Sequence, residues 1–128
     1  MTLLNSFLSM FSPSDSGVRR VEPAETAQLV RENRAVLVDV REPAEWAGGV
    51  AQKAALLPLS DLAGPRLQWK PFLNHVGDRE IILYCHSGAR CGTAARMLVA
   101  EGFKVANGGS LRAWHRAGLP VCKPKHLR

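Results

Sequence analysis

Short apolar runs alternate with segments of helical spacing along most of this chain. The apolar runs contain few polar residues, which is typical of strands buried on both faces of a parallel sheet. They predict strands at 18–21, 35–40, 54–57, 81–84 and 103–106. Helical spacing, with Pro or Ser at the starts and Gly at several ends, predicts helices at 22–33, 43–46, 90–101 and 110–117, and helical turns at 60–64 and 69–75.

The same pattern predicts the fold class and the limits of the domain. Strands that alternate with helices predict an α/β fold with a mostly parallel sheet. Residues 18–122 carry this alternation, and the turn residues at 107–109 are expected to separate the last strand from a helix capped by Ser110. Residues 123–128 form a predicted basic tail.

The first 17 residues lie outside the alternating pattern. Residues 1–11 are apolar at helical spacing, and residues 12–17 have the composition of a linker. The apolar stretch is shorter than the ~20 residues of a membrane-spanning helix, and it lacks the positive start of a secretory signal. We expect either a short amphipathic helix or a frayed terminus.

The amino-acid composition narrows the classes of protein to which this chain can belong. A chain of 128 residues with 46% hydrophobic and 22% charged residues is one globular domain, which excludes a disordered chain, a collagen and a transmembrane bundle. The formal net charge is +6, but the cations are scattered rather than clustered. We therefore expect a small anionic partner rather than a nucleic acid.

Cysteine and histidine usage bears on cofactors and on location. The three cysteines (Cys85, Cys91 and Cys122) are too few for a disulfide framework. No spacing of cysteine and histidine is that of a zinc site. We therefore predict free thiols, no metal, no cofactor and a cytoplasmic location.

One segment combines residues that carry chemistry. A predicted buried strand ends at Cys85, and a predicted helix begins near Arg90, so the residues between them form a tight loop. Ligands of open α/β sheets bind at this edge of the sheet. Successive backbone N–H groups and the start of the helix form an anion cradle there, and Gly88 allows the backbone conformation that such a loop needs. The same positive environment lowers the pKa of the Cys85 thiol and makes it nucleophilic.

Neighbouring residues extend this predicted anion site. Arg90 carries a planar, permanently charged fork suited to anions. The side chains of His86 and Ser87 can donate hydrogen bonds, and Gly88 and Ala89 contribute the backbone of the loop. Arg41, after another buried strand, is either a surface cation or a second anion contact, whereas we expect Asp39 to be structural.

Three stretches of the sequence resemble the rhodanese (thiosulfate sulfurtransferase) family, in particular its single-domain members. They are residues 38–42 with 45–46, the loop 85–90, and residues 107–109 with 113–114 and 117–121. Together they cover about residues 18–122. The resemblance implies a three-layer α/β/α fold with a central, mostly parallel sheet of about five strands.

The resemblance also implies an activity and its residues. Cys85 is expected to take the sulfane sulfur of thiosulfate, hold it as a persulfide and pass it to cyanide or a thiol. Arg90 and the loop N–H groups are expected to bind the donor dianion. The loop from Cys85 to Arg90 has the six residues of the sulfurtransferases, whereas related phosphatases and arsenate reductases have one more.

Some alternatives stay open. A sulfur carrier that receives sulfur from a partner fits the same residues, and the basic tail is then a docking site for an acidic carrier protein. A phosphatase or arsenate reductase is the less favoured alternative.

The sequence also departs from the family pattern at two places. Residues 49–54 lack the usual histidine and second glycine, and Cys91 stands where serine is common, either as a resolving thiol or as a simple replacement.

Overall fold

The computed structural model describes residues 18–124. The predicted helix and linker at 1–17, and residues 125–128 of the predicted basic tail, lie outside this range. Within residues 18–124 the strands are β1 (Arg19–Arg20), β2 (Ala35–Asp39), β3 (Val50–Ala51), β4 (Ala55–Leu56), β5 (Glu80–Cys85), β6 (Val105–Ser110) and β7 (Val121–Cys122). The helices are α1 (Pro23–Arg31), α2 (Pro43–Trp46), α3 (Leu59–Leu62), α4 (Trp69–His75), α5 (Ala89–Ala100) and α6 (Leu111–Arg116).

Five of the strands form the central sheet, in the order β1-β6-β5-β2-β4. Every neighbouring pair in this sheet is parallel. The apolar run of β2 lies in register with that of β5, so that Val38 is beside Leu83 and Asp39 is beside Tyr84. The prediction of a mostly parallel sheet of about five strands is confirmed, and β5 lies at its centre.

Helices cover both faces of the sheet because side chains along each strand point alternately to opposite sides. Ile81, Leu83 and Cys85 of β5 pack in one core, with buried residues of α3, α4 and α5. Ile82 and Tyr84 pack in the other, with residues of α1 and α6. The predicted three-layer α/β/α architecture is confirmed, and Cys85 lies on the α5 side of the sheet.

The prediction of a turn at 107–109 is wrong. These residues belong to β6, which pairs with β5 through an irregular register between Leu83 and Cys85. Gly108 is required there, because a Cβ at this position would lie 2.8 Å from Ile82 Cγ2 and 3.1 Å from the Leu83 carbonyl oxygen. Asn and Gly are turn residues in most contexts, but here they allow a bulged strand to pack closely against its neighbour.

The sequence pattern also missed a small second sheet. Strands β3 and β7 pair antiparallel, with Val50 opposite Cys122. The hydroxyl of Tyr84 accepts a hydrogen bond of 2.8 Å from the backbone N–H of Ala51. Residues 49–54, which depart from the family pattern, are therefore attached both to the central sheet, through Tyr84, and to the end of the domain, through β7.

Candidate active site

Cys85 is the last residue of the central strand β5 and has no exposed surface. The chain leaves the sheet after it, turns at Gly88 and begins α5 at Ala89. Gly88 has a φ of 100°, in the left-handed region that other residues rarely adopt. In this conformation the backbone N–H of Gly88, just before α5, faces the Cys85 sulfur.

Several hydrogen-bond donors meet at that sulfur. The backbone N–H of Gly88 donates to Cys85 Sγ at 2.8 Å. The backbone N–H groups of Ser87 and Cys91 and the Cys91 side chain also favour negative charge on this sulfur, and the Cys91 sulfur lies 4.0 Å from the Gly109 carbonyl oxygen. These groups act on the cysteine sulfur, and the anion cradle that the sequence predicts around this loop stays a prediction.

The donors favour the charged form of Cys85. The thiol of Cys91 has the largest effect, followed by the three backbone N–H groups, and together they outweigh burial, which acts in the opposite direction. They lower the pKa of Cys85 to about 5. Cys85 is consequently a thiolate at neutral pH, which is the form of cysteine that acts as a nucleophile.

Cys91 is buried in the first turn of α5. Its pKa is raised by the neighbouring Cys85 sulfur and by burial. A thiol that stays protonated is a weak nucleophile. The two roles left open by the sequence, a resolving thiol and a replacement for the usual serine, both stay predictions.

This arrangement predicts a change in the titration of Cys85. Below its pKa the thiol is protonated and above it the thiolate forms, so thiolate absorbance in the ultraviolet should rise through about pH 5. Cys91→Ala removes the strongest donor, and we expect the midpoint to move up by about one pH unit or more. Cys91→Ser keeps a donor and should move it less. An unchanged midpoint in Cys91→Ala, measured in a Cys122→Ser background, would contradict the donor role.

Arg90 forms an ion pair that the sequence analysis missed. Its guanidinium binds both carboxylate oxygens of Glu45, at 2.5 and 2.8 Å. Glu45 lies in the short helix α2 and also accepts a hydrogen bond from the backbone N–H of Glu42. The Arg90 pair holds the pKa of Glu45 at about 2 and raises that of Arg90. A guanidinium has five N–H donors, so Arg90 can keep this partner and still contact an anion at the loop.

Arg41 is not a surface cation. It is 6% exposed, and its Nε and Nη2 donate to the carboxylate of Asp39, with a further bond of 2.7 Å to the Gly49 carbonyl. Asp39 is buried and binds Arg41, as its expected structural role requires. The other alternative for Arg41, a second anion contact, stays a prediction.

The remaining loop residues lie at its rim. His86, Ser87 and Ala89 are exposed, and Gly88 is half-buried. Ser87 contributes its backbone N–H to the Cys85 sulfur. The sulfur therefore lies at the floor of the loop, below a rim of accessible residues.

Among residues 18–124, no group of three or more His, Cys, Asp or Glu side chains has the arrangement to hold a metal ion. In the same part of the chain, no helix has the length and apolar character needed to cross a membrane.

A cysteine thiolate cradled by backbone N–H groups at the carboxyl edge of a parallel α/β/α sheet defines a class of cysteine-dependent transfer domains. The family model for the rhodanese-like domain matches residues 22–117. The chain therefore belongs to the rhodanese-like domain family.

Similar proteins include one sulfurtransferase and two proteins without an assigned function. A sulfurtransferase of Allochromatium vinosum is 39% identical over 92 residues, which cover 70% of this chain and 80% of the relative. An uncharacterized protein of Synechocystis is 35% identical over 83% of this chain, which spans 57% of that protein. A Rhodopseudomonas palustris structure, described as a protein of unknown function and possible tyrosine phosphatase, is 26% identical, with a TM-score of 0.71 over 88% of this chain and 91% of that one.

Proposed function

We propose that this protein is a sulfurtransferase that moves sulfane sulfur from thiosulfate, or from a persulfide donor, to cyanide or a thiol through a Cys85 persulfide. The observation that carries the proposal is the buried Cys85 sulfur, which accepts a hydrogen bond of 2.8 Å from the Gly88 N–H and whose pKa is lowered to about 5. A sulfurtransferase among the relatives supports the reaction class. Thiosulfate is the donor that the family resemblance suggests.

The first step loads the enzyme. The Cys85 thiolate attacks the sulfane sulfur of thiosulfate and forms a new S–S bond. The original S–S bond of thiosulfate breaks, and its electron pair leaves with sulfite. The N–H groups of Gly88, Ser87 and Cys91 stabilise the negative sulfur during this exchange. Arg90, at the start of α5, adds positive charge on the same side.

The second step discharges the enzyme. A thiolate or cyanide attacks the outer sulfur of the Cys85 persulfide, and the S–S bond breaks with its electron pair returning to Cys85. The low pKa of Cys85 makes it a good leaving group, because leaving improves as the thiol pKa falls. The outer sulfur lies ~2 Å beyond Cys85 Sγ, toward the rim of the loop. An acceptor therefore need not reach the buried floor.

The size of the loop separates this reaction from phosphate chemistry. Six residues span Cys85 to Arg90, and the N–H groups of Gly88 and Ser87 converge on the cysteine sulfur itself. A phosphatase or arsenate reductase must instead surround a tetrahedral oxyanion above the sulfur, for which the related enzymes have one more loop residue. Sulfur transfer is thus the better match to the loop.

The decisive experiment is the intact mass of the protein after incubation with thiosulfate. We expect a gain of one sulfur atom that a reductant removes. If the mass does not increase with thiosulfate but does increase with a low-molecular-mass persulfide, the donor is a persulfide rather than thiosulfate. That result would favour the alternative in which the protein is a sulfur carrier. No gain with either would reject sulfur transfer, and activity on a phosphate ester or arsenate would then identify the alternative class.

The partner of this protein and its location in the cell are also proposals. The exposed Lys123 donates to the Ala47 carbonyl at 2.9 Å, so the start of the predicted basic tail lies against the α2 end of the domain. An acidic sulfur-carrier protein is a suitable partner for this tail. The predicted cytoplasmic location and the predicted lack of a nucleic-acid partner stay predictions.

A further inference from the structure

The side of the Cys85 loop next to α2 carries a carboxylate as well as a cation. Both terminal nitrogens of Arg90 bind the Glu45 carboxylate, and each of these two side chains is about one third exposed. The negative sulfur of Cys85 helps to raise the pKa of Arg90, so the guanidinium lies within electrostatic range of the nucleophile. An anion that enters the loop beside Arg90 therefore meets the charge of Glu45 as well.

Glu45 is held in this position from both ends of its short helix. Its Oε1 accepts a hydrogen bond of 3.0 Å from the backbone N–H of Glu42, at the start of α2. Arg41 holds the other end, since its Nη1 and Nη2 donate to the carbonyl oxygens of Glu45 and Gly49 at 3.5 and 2.7 Å. The pKa of Glu45 is held at about 2, so its carboxylate is charged throughout the neutral range. Glu45 thus places a fixed negative charge against Arg90.

A second carboxyl group, that of Glu42, acts on the same guanidinium. It accepts hydrogen bonds from the backbone N–H and the hydroxyl of Ser60, at 3.2 and 2.6 Å. Glu42 also contributes to the raised pKa of Arg90, although Glu45 has the larger effect. The positive charge that Arg90 offers to a sulfur donor is therefore largely offset by this part of the chain.

The offset matters because sulfur donors differ in charge. The electrostatic energy of a donor beside a charged side chain is proportional to the product of the two charges. An arginine without a counter-ion would therefore attract the thiosulfate dianion about twice as strongly as a donor with a single charge. An arginine paired with a glutamate has little net charge and loses most of this preference, although its remaining N–H groups can still donate to an anion.

We propose that Glu45 is a specificity-determining residue, which shifts the preference of the site from the thiosulfate dianion toward sulfane donors with one negative charge, such as persulfide anions. This inference rests on the proposed function and narrows its class of donor. Arg90 keeps the role of a hydrogen-bond donor to the entering anion, and Glu45 sets how strongly the charge of that anion counts.

The test uses thiosulfate and methanethiosulfonate, which differ because a methyl group replaces one charged oxygen. With either donor the Cys85 thiolate bonds to the outer sulfur, the sulfur–sulfur bond of the donor breaks, and its electron pair leaves with sulfite or methanesulfinate. The measurement is the second-order rate constant of persulfide formation, followed by intact mass. In Glu45→Gln we expect this constant to rise about tenfold for thiosulfate and about threefold for methanethiosulfonate, because the gain in energy doubles with the charge. High salt should reduce both gains.

Two control variants separate the charge of Glu45 from its structural contacts. Glu45→Asp keeps the charge and should leave the ratio of the two rate constants within about twofold of the wild-type ratio. Glu101→Gln removes a carboxylate that binds Arg66 at the far end of α5, and it should change neither constant. Because Glu45 is partly exposed, Glu45→Gln should keep its fold, which circular dichroism checks. Equal changes for both donors in Glu45→Gln, or a larger gain for methanethiosulfonate, would overturn the proposal.

A binding measurement separates this inference from the proposed function. Sulfate and methanesulfonate differ in charge in the same way but have no sulfur to transfer, and their binding to unloaded protein is followed through the amide NMR signals of Ser87 and Gly88. In Glu45→Gln we expect the affinity for sulfate to rise about threefold more than the affinity for methanesulfonate, whether or not thiosulfate loads Cys85. An equal change for both anions would reject the role of Glu45 even if the persulfide forms.

Discussion

Cys85→Ser is expected to lower sulfur transfer from thiosulfate to cyanide by ~10³-fold or more, because serine is not ionised at neutral pH and forms no persulfide. The donors around Cys85 favour a sulfur anion, and a neutral hydroxyl does not benefit from them in the same way. The measurement is the rate of thiocyanate formation at saturating donor and acceptor.

Cys122→Ser is the matched control. Cys122 is exposed on the short strand β7, and we expect this variant to keep the full rate. Cys85 and serine are close in size, so the variant should keep its fold, which circular dichroism checks. A Cys85→Ser protein that is folded and still forms thiocyanate at the wild-type rate would reject the proposed mechanism.

Asp39→Ala is expected to cause the largest loss of stability, about 3–5 kcal/mol in the free energy of unfolding. The Asp39 side chain is fully buried, and its carboxylate accepts hydrogen bonds from the guanidinium and the backbone N–H of Arg41. Its loss leaves a buried guanidinium without its counter-ion. Denaturant unfolding of the variant and the wild-type protein measures the difference.

The control removes an exposed ion pair. Arg66 and Glu101 bind each other through two hydrogen bonds, but both side chains are partly exposed. Glu101→Ala should cost only about 0–1 kcal/mol. If Asp39→Ala lowers the free energy of unfolding by no more than Glu101→Ala does, Asp39 is not needed to neutralise the buried Arg41 guanidinium. If Asp39→Ala does not fold, Asp39→Asn, which keeps part of the hydrogen bonding, should show an intermediate loss.

The segment around Cys85 illustrates what sequence patterns predict well. The predicted strand at 81–84 and helix at 90–101 correspond to β5 (Glu80–Cys85) and α5 (Ala89–Ala100). Their signals are local: an apolar run, a glycine that takes a left-handed conformation, and helical spacing. Neighbouring residues determine these backbone conformations, so the position of the thiol at the end of a buried strand was predictable.

Local signals failed where distant parts of the chain determine the conformation. Residues 107–109 have turn composition, but Gly108 is needed because β6 approaches Ile82 and Leu83 of β5. Strands β3 and β7 have two residues each and exist through their mutual pairing. Neither contact has a signature within its own segment.

The sequence by itself determined the α/β class, the parallel sheet and the loop with its thiol, because each depends on backbone preferences within a short segment. Only the tertiary structure decided which charges meet. Glu45 binds Arg90 although 45 positions separate them, Arg41 is buried against Asp39, and Arg20 and Arg96 line one cavity. The physical reason is that ion pairs and cavities depend on which elements the sheet order brings together, and side-chain periodicity does not encode that order.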